Sequence, residues 1–214
     1  MTSARPVVHL VDDDASFLGA LSRLLRAAGF AVRTYSSSSG FLTERPRDTP
    51  GCAVVDLEMP GLNGLELQQR LAAEQEPMPV VFLTGHGDIP ASVRAMRQGA
   101  EDFLTKRAPK ADLIAAIERA LARDALLRSQ RARLRELRAP FESLTPRERE
   151  VLGHVLAGRL NKQIGAALGV DERSVKRHRT SLMSKLRVGS VAELTHLVDE
   201  SGLQFGPPPP ISPL

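Results

Sequence analysis

The sequence has little of what secreted or membrane-spanning proteins need. It contains a single cysteine, Cys52, so an intramolecular disulfide is excluded, and the apolar run CAVV around it favours a buried thiol. The longest apolar runs are five or six residues, far below the roughly 20 that span a bilayer. The first residues, MTSARPVVHL, lack the apolar core of a signal peptide. We therefore expect a cytoplasmic protein that does not contact membranes.

The composition is otherwise ordinary, but the charge is unevenly placed. With 42% hydrophobic and 25% charged residues, a chain of 214 residues can bury one large core or two small ones. The net charge is +4, yet residues 145–187 alone hold ten basic residues against four acidic ones. A polyanion is a natural partner for such a segment.

In the first half of the chain, short β-rich apolar runs alternate with helical patterns. The candidate strands are Val7–Val11, Ala31–Tyr35, Cys52–Val55, Val80–Thr84 and Asp102–Leu104. Apolar residues at helical spacing follow at 16–28, after Gly64 and at about 89–98. Strands this apolar need a sheet that is covered on both faces. We predict a five-stranded, doubly wound α/β domain of the flavodoxin-like type.

A long helix is expected to follow, beginning near Asp112 as N-cap and meeting no Gly or Pro before Pro140. Its partial apolar stripe consists of Leu113, Ile117, Leu121, Leu127, Leu134 and Leu137, and residues 122–140 carry six arginines. Asp124 and Arg131 interrupt the heptad pattern. Two interpretations stay open: a solvated charged connector, or a helical linker that pairs with its twin in a dimer.

Strand patterns cease after Pro140. Helical segments at 146–157, 162–168, 172–187 and 191–200 predict a second, all-helical domain of four helices, and the tail GPPPPISPL is typical of polyproline or disorder. The predicted organisation is a first domain at 1–121, a helical linker at 122–142, the helical domain at 143–201 and a Pro-rich flexible tail at 202–214.

Polar side chains stand where the predicted strands end. They are Asp12, Asp13 and Asp14 after the first strand, Asp56 after the third, Thr84 at the end of the fourth and Lys106 after the fifth. Chemistry collects at this edge of a parallel sheet, and an oxygen-only carboxylate cluster suits Mg²⁺ or Mn²⁺. Taken singly, Asp14 can cap a helix, Asp56 can start a turn and Lys106 can be solvated.

The segments VDDD at 11–14, VVDLEMPGLNG at 54–64, FLTGHGDIP at 82–90 and EDFLTK at 101–106 resemble the receiver domains of two-component response regulators, over roughly residues 6–121. The resemblance implies that Asp56 accepts a phosphoryl group from a sensor histidine kinase. It also implies that Asp13, Asp56 and the backbone carbonyl of Glu58 hold Mg²⁺, with Asp12 acting through water. Lys106 and Thr84 would supply charge neutralisation and positioning.

The same resemblance implies a switch in which Thr84 moves toward the phosphoryl group and Phe103 turns inward. From the residues alone, Phe103 is equally a core side chain. Glu58 and His86 occupy variable positions that tune dephosphorylation in such domains. Receivers usually follow the lysine with proline, but Arg107 stands here, so we expect a trans or a strained peptide after Lys106 and an altered switch geometry.

The second domain has the pattern of a helix-turn-helix. Thr145, Pro146 and Glu148 form a capping box, Gly169 makes a tight turn and Asp171 caps the helix ERSVKRHRTSLMSKLR. Its predicted buried stripe is Val175, Leu182 and Leu186, which leaves Arg173, Lys176, Arg177 and Thr180 on an opposing face. Such a face suits the major groove of DNA, although an isolated basic helix is usually a solvated one.

LTPREREVL, GRLNKQIGAALGV and SVKRHR…SKL resemble the DNA-binding domain of LuxR-type regulators, also grouped as the NarL/FixJ family, over about residues 143–201. The resemblance implies that Lys176, Arg177 and Thr180 approach bases, while Lys162, His178, Arg179 and Lys185 serve phosphates or local structure. The last helix, with Val191, Leu194, Leu197 and Val198, would be a dimer contact on DNA or part of the core. The implied partners are an operator, a sensor kinase and a second copy of the chain, with RNA polymerase as a further candidate.

Two other functions are considered. A Mg²⁺-dependent phosphatase with an aspartyl nucleophile would need a DxDx[TV] arrangement and a substrate cap, which the sequence lacks. DNA binding that does not depend on phosphorylation is the other alternative. We expect no enzymatic activity apart from self-phosphorylation and self-dephosphorylation at Asp56.

Overall fold

The computed structural model describes residues 5–74, 77–85 and 89–205. The chain forms two compact units, Met1–Arg128 and Ser129–Leu214. Both the α/β and the all-α parts of the predicted fold are confirmed. Among the residues described, no helix has the length and apolar character needed to cross a membrane.

The first unit is built on a parallel sheet with strand order β2-β1-β3-β4-β5. The strands are β1 (Val7–Val11), β2 (Ala31–Tyr35), β3 (Gly51–Val55), β4 (Val80–Thr84) and β5 (Asp102–Thr105). The predicted strands are confirmed, and β3 and β5 are each one residue longer than expected. All five residues of β3 and of β4 are buried, as the unbroken apolar runs predict.

Helices cover both faces of this sheet. They are α1 (Ala15–Ala27), α2 (Ser38–Glu44), α3 (Gly64–Ala72), α4 (Ile89–Arg97) and α5 (Lys110–Glu142). One core cluster joins the sheet to Phe41, Leu67 and Ala95 of α2, α3 and α4. The other joins it to α1 and α5 through Leu25 and Ile117. The chain is therefore doubly wound, with the carboxyl ends of the strands meeting at one edge.

The sequence prediction was wrong at two places in this unit. Helix α2 was missed because its seven residues, SSGFLTE, bury only Phe41 among their apolar side chains and so show no helical period. Helix α5 begins at Lys110, so Asp112 lies in the first turn and is not the N-cap. The helix starts directly after Pro109, whose carbonyl accepts from the Asp112 amide at 3.0 Å.

The second unit contains the distal part of α5 and four helices, α6 (Pro146–Leu156), α7 (Asn161–Leu168), α8 (Glu172–Leu186) and α9 (Val191–Ser201). The predicted capping box of Thr145 and Glu148 is confirmed, as is the Asp171 cap. Gly169 adopts φ 66° in the turn between α7 and α8, where a glycine avoids the strain of a left-handed backbone. Phe141, at the end of α5, is 4% exposed within this core. Residues 206–214 of the predicted flexible tail lie outside the described residues.

Candidate phosphoacceptor site and nucleic-acid interface

Three carboxylates and one ammonium converge at the carboxyl edge of the sheet. Strands β1 and β3 pair in register with Val11 beside Val55, so Asp12 and Asp56 leave the sheet side by side. Carboxylate oxygens of Asp12, Asp13 and Asp56 all lie within 4.8 Å of one another. Asp12 and Asp56 are buried, whereas Asp13 is exposed.

Lys106 reaches this cluster from the loop after β5, which is an edge strand of the sheet. Its backbone amide donates to the Thr84 carbonyl at 2.7 Å, which fixes the loop after β5 against the end of β4. Its ammonium lies 2.7 Å from Asp12 Oδ2 and 2.9 Å from Asp56 Oδ2, and 4.6 Å from the centre of the Phe17 ring. The lysine therefore neutralises part of the negative charge of both buried carboxylates.

The charge balance at this edge favours a further cation. Burial raises the pKa of Asp12, and the hydrogen bond from Lys106 only partly opposes it. For Lys106, burial acts against the ammonium, but the hydrogen bonds and attraction of Asp12 and Asp56 outweigh it and raise the pKa. Three carboxylates against one ammonium leave excess negative charge and several free oxygen lone pairs. A hard, oxygen-seeking ion such as Mg²⁺ fits this donor set.

The loop after β3 is closely packed around the central aspartate. A Cβ added at Gly64 would lie 2.4 Å from the Asp56 carbonyl oxygen, so only glycine fits there. Asn63 caps α3 in a capping box with Glu66, a signal that the sequence prediction missed. The Glu58 amide lies 3.5 Å from Asp56 Oδ1, and its side chain is exposed. The loop thus fixes the Asp56 backbone, and its carboxylate forms part of the cluster.

The two predicted switch residues lie on neighbouring strands. Thr84 is 1% exposed at the end of β4. Phe103 is half-buried on β5, with its ring centre 6.0 Å from that of Phe82. All peptide bonds in the described part of the chain are trans, including the one between Lys106 and Arg107. His86 lies outside the described residues.

In the second unit, helix α8 presents a basic face. Its buried stripe is Val175, Leu182 and Leu186, as predicted. Arg173, Lys176, Arg177 and Thr180 are exposed and line a shallow groove together with Ser181, Ser184 and Lys185. This groove offers cations and hydroxyl donors over the length of the helix, which suits the phosphates and base edges of DNA.

The remaining basic residues differ in how far they are engaged within the unit. Lys162 is exposed on α7. Arg179 donates to Asn161 Oδ1 at 2.8 Å. Lys185 forms a 2.7 Å ion pair with Glu148 and donates to the Ser143 carbonyl at 3.1 Å. These contacts favour local structure, which was one of the two roles expected of Arg179 and Lys185.

Glu148 is a structural residue whose full role the sequence does not reveal. It is 4% exposed, accepts from Ser181 and Lys185 at 2.7 Å each, and accepts from the Thr145 amide at 2.8 Å. Burial alone would raise its pKa, but the hydrogen bonds from Lys185, Ser181 and Thr145 outweigh burial and lower the pKa to about 2. Glu148 therefore ties the start of α6 to the C-terminal half of α8.

The apolar side chains of α9 belong mostly to the core of this unit. Leu194 and Val198 are buried, and Leu197 packs against them. Val191 is 40% exposed. The sequence left two roles open for this helix, a dimer contact on DNA or part of the core. Three of the four apolar residues belong to the core.

An acidic edge on a doubly wound sheet, combined with a basic helix in a helical unit, defines a signalling protein that acts on DNA. The family model of the response regulator receiver domain matches residues 8–118, and that of the bacterial regulatory proteins of the luxR family matches residues 142–198. The chain therefore belongs to the response regulators with a LuxR-type DNA-binding domain: it is a DNA-binding response regulator of a two-component system.

Similar proteins match almost the whole chain. Response regulator protein TmoT of Ectopseudomonas mendocina is 40% identical over 93% of this chain and 90% of its own length. Transcriptional regulatory protein FixJ of Bradyrhizobium diazoefficiens is 37% identical over 92% of this chain and 96% of its own. The solved structure of response regulator StyR has a TM-score of 0.77 and 46% identity, covering 92% of this chain and all of that one. Membership of the family implies DNA and a sensor kinase as partners, and receiver domains generally bind Mg²⁺.

Proposed function

We propose that a sensor histidine kinase phosphorylates Asp56 and thereby controls dimerisation and sequence-specific DNA binding, so that transcription is regulated in the cytoplasm. The observation that carries this proposal is the position of the Lys106 ammonium, within 2.9 Å of both Asp12 and Asp56. A carboxylate beside a fixed ammonium can accept a phosphoryl group because the ammonium compensates part of the added negative charge.

In the proposed reaction, an oxygen of Asp56 attacks the phosphorus of a phosphohistidine. A P–O bond forms and the P–N bond breaks, with its electron pair remaining on the imidazole. Asp13, Asp56 and the backbone carbonyl of Glu58 would hold Mg²⁺, with Asp12 acting through water, and the ion supplies neutralisation of the phosphoryl oxygens. Lys106 and Thr84 contribute an ammonium and a hydroxyl. Hydrolysis of the acyl phosphate by water returns the carboxylate and inorganic phosphate.

The response to phosphorylation would pass from Thr84 and Phe103 to the rest of the chain. Thr84 ends β4 and Phe103 lies on the neighbouring strand β5, where the half-buried ring can exchange between two packed positions. Residues 122–142 would act as the linker to the DNA-binding domain. RNA polymerase is a further proposed partner of the DNA-bound dimer.

On DNA, Lys176, Arg177 and Thr180 would approach bases, and Arg173 and Lys162 would contact phosphates. All five are exposed. Arg179 and Lys185 would also contact phosphates at the edge of the interface, in addition to their contacts within the unit.

The test is phosphorylation of the purified protein by acetyl phosphate with Mg²⁺, followed by intact-protein mass spectrometry. The wild type is expected to gain one phosphoryl group and to bind an operator duplex, selected from a random pool, more tightly after the gain. Asp56→Asn is expected to show neither change. Equal labelling of Asp56→Asn and wild type would refute the assignment, and repeated turnover of small phosphate esters would instead indicate a phosphatase.

A further inference from the structure

A buried carboxylate on helix α5 joins this helix to the start of strand β3. Asp124 is 2% exposed, and its Oδ2 atom accepts a hydrogen bond from the Gly51 amide at 2.9 Å. The same carboxylate accepts from Arg128 Nε at 3.0 and 3.2 Å. In the sequence, Asp124 interrupts an apolar heptad. The structure shows the reason for its place, since it bonds a backbone group 73 residues away.

Arg128 extends this attachment to the loop before β3. Its Nη2 atom donates to the Thr49 carbonyl at 3.0 Å, and its Nη1 atom lies 3.5 Å from the Asp48 carbonyl. The next carbonyl, that of Pro50, accepts from the Val7 amide at 2.8 Å. Backbone groups of the loop at 48–51 are thus bonded on one side to α5 and on the other to β1.

The attached strand is the one that ends at the phosphoacceptor. Gly51 is the first residue of β3, and Asp56 follows its last residue. No side chain fits at Gly51, because a Cβ there would lie 2.1 Å from the Val7 carbonyl oxygen, so β3 begins in close contact with β1. Strand β3 is therefore held at one end by Asp124 and carries Asp56 at the other.

We infer that Asp124 is a positioning residue that couples the Asp56 strand to helix α5, so that phosphorylation changes the state of α5 through the bonds of Asp124 with Gly51 and Arg128. This inference rests on the proposed function. A displacement of β3 that follows phosphorylation alters the Gly51–Asp124 bond directly. Because packed elements exchange between discrete arrangements, a small shift there is transmitted to α5 as a whole.

The coupling role makes a prediction that a purely stabilising role does not. A residue that only stabilises the unit lowers the melting temperature but leaves the ratio of DNA affinities, phosphorylated over unphosphorylated, unchanged. Substitution of a coupling residue lowers that ratio, because the ratio measures the free energy that couples phosphorylation to DNA binding.

The experiment compares full-length Asp124→Asn and Arg128→Gln with the wild type. Arg119→Gln is the matched control, since Arg119 lies on the same helix, pairs with Asp102 of β5 and is half exposed. Phosphoryl uptake from acetyl phosphate and Mg²⁺ is measured by mass, and affinity for the selected operator duplex is measured in both states. We expect normal uptake in all variants. The affinity ratio should fall about fivefold or more in Asp124→Asn and Arg128→Gln, and it should be retained in Arg119→Gln.

Amide hydrogen exchange of the wild type provides a second measurement, which decides the matter if a variant does not fold. Exchange at Gly51 and along α5 is expected to change together on phosphorylation. An unchanged affinity ratio in both variants, or unchanged Gly51 exchange, would overturn the inference while leaving the proposed function intact. A wild type that takes up no phosphoryl group, or gains no affinity from it, would overturn both.

Discussion

The ammonium of Lys106 lies 2.9 Å from Oδ2 of Asp56, although the two residues are 50 positions apart in the chain. The carboxylate oxygens that the ammonium contacts belong to the cluster that we propose as the Mg²⁺ site. Lysine and metal ion therefore neutralise the same charge, and the stability of the first unit should depend on both.

We predict that Mg²⁺ raises the melting temperature of the wild-type protein. Binding to the folded state alone stabilises by about 1.4 kcal/mol when the ion is present at tenfold its dissociation constant. In Lys106→Met the carboxylates lose their ammonium, so the metal-free protein should be less stable and the gain from Mg²⁺ larger. Thermal unfolding with MgCl₂, against KCl at equal ionic strength, measures both effects. Asp56→Asn is the control and should show a reduced gain; a wild type indifferent to Mg²⁺ would contradict the proposed site.

A second prediction concerns pH and the second unit. The pKa of Glu148 is lowered from its ordinary value of 4.5 to about 2, so its ionised form stabilises the fold. This stability is present above pH 4.5 and is lost as pH falls toward 2. Glu148→Gln should therefore cost about 1–3 kcal/mol at pH 7, because hydrogen bonds to a charged group are lost. The difference from wild type should shrink steadily in acid denaturation series between those two pH values.

The partner of Glu148 provides the control for that experiment. If the ion pair carries the effect, Lys185→Met should remove part of the same free energy, and the double variant should be less destabilised than the sum of the two single ones. Additive costs would show that the two side chains do not interact.

A third prediction separates base contacts from phosphate contacts on DNA. Arg177→Gln should cost about 1–3 kcal/mol at one base position and relax the preference there. Lys162→Gln should weaken binding to all sequences alike. It should also make the slope of log K against log salt concentration shallower by about 0.9. Titrations on operator variants at several salt concentrations distinguish the two. If Arg177→Gln lowered the affinity for every duplex equally, Arg177 would contact phosphates and not bases.

The fourth prediction concerns the end of helix α8. Arg187 caps this helix with φ 56°, and in the described part of the chain it is the one non-glycine residue with positive φ. A left-handed backbone costs an L-residue about 1–2 kcal/mol, which glycine avoids. Arg187→Gly should be more stable than Arg187→Ala by about 1 kcal/mol, the alanine variant removing the side chain without relieving the backbone. Chemical denaturation measures the difference. Equal stabilities of the two variants would show that the backbone at position 187 is not strained.

Much of the architecture could be predicted from the sequence because the signals are local. The runs that form β1, β3 and β4 are mainly apolar, the caps at Asp14, Thr145 and Asp171 lie within three residues of the amides they bind, and the acidic edge follows from the order of strands. Helix α2 could not be predicted, since a run of serines and one buried phenylalanine has no period.

What the sequence could not reveal are bonds between distant segments. Glu148 is recognisable as part of a capping box, but its bonds to Ser181 and Lys185 span 33 and 37 residues. Asp124 likewise has no local pattern that points to Gly51. Such contacts depend on how helices and loops pack in three dimensions, which periodicity does not specify.

Phe141 has a practical consequence for anyone who wishes to isolate the DNA-binding half. Its ring lies 5.6 Å from that of Phe205, and nearby Arg138 holds the carbonyl of Ser201 at 2.8 Å. A protease that cuts after Phe141 removes this buried ring from the fragment, and the apolar side chains packed against the ring become exposed to water. A cut before Ser129 keeps Phe141 in the fragment. A fragment that folds on its own therefore has to begin well upstream of residue 143, where the resemblance to the DNA-binding domain starts.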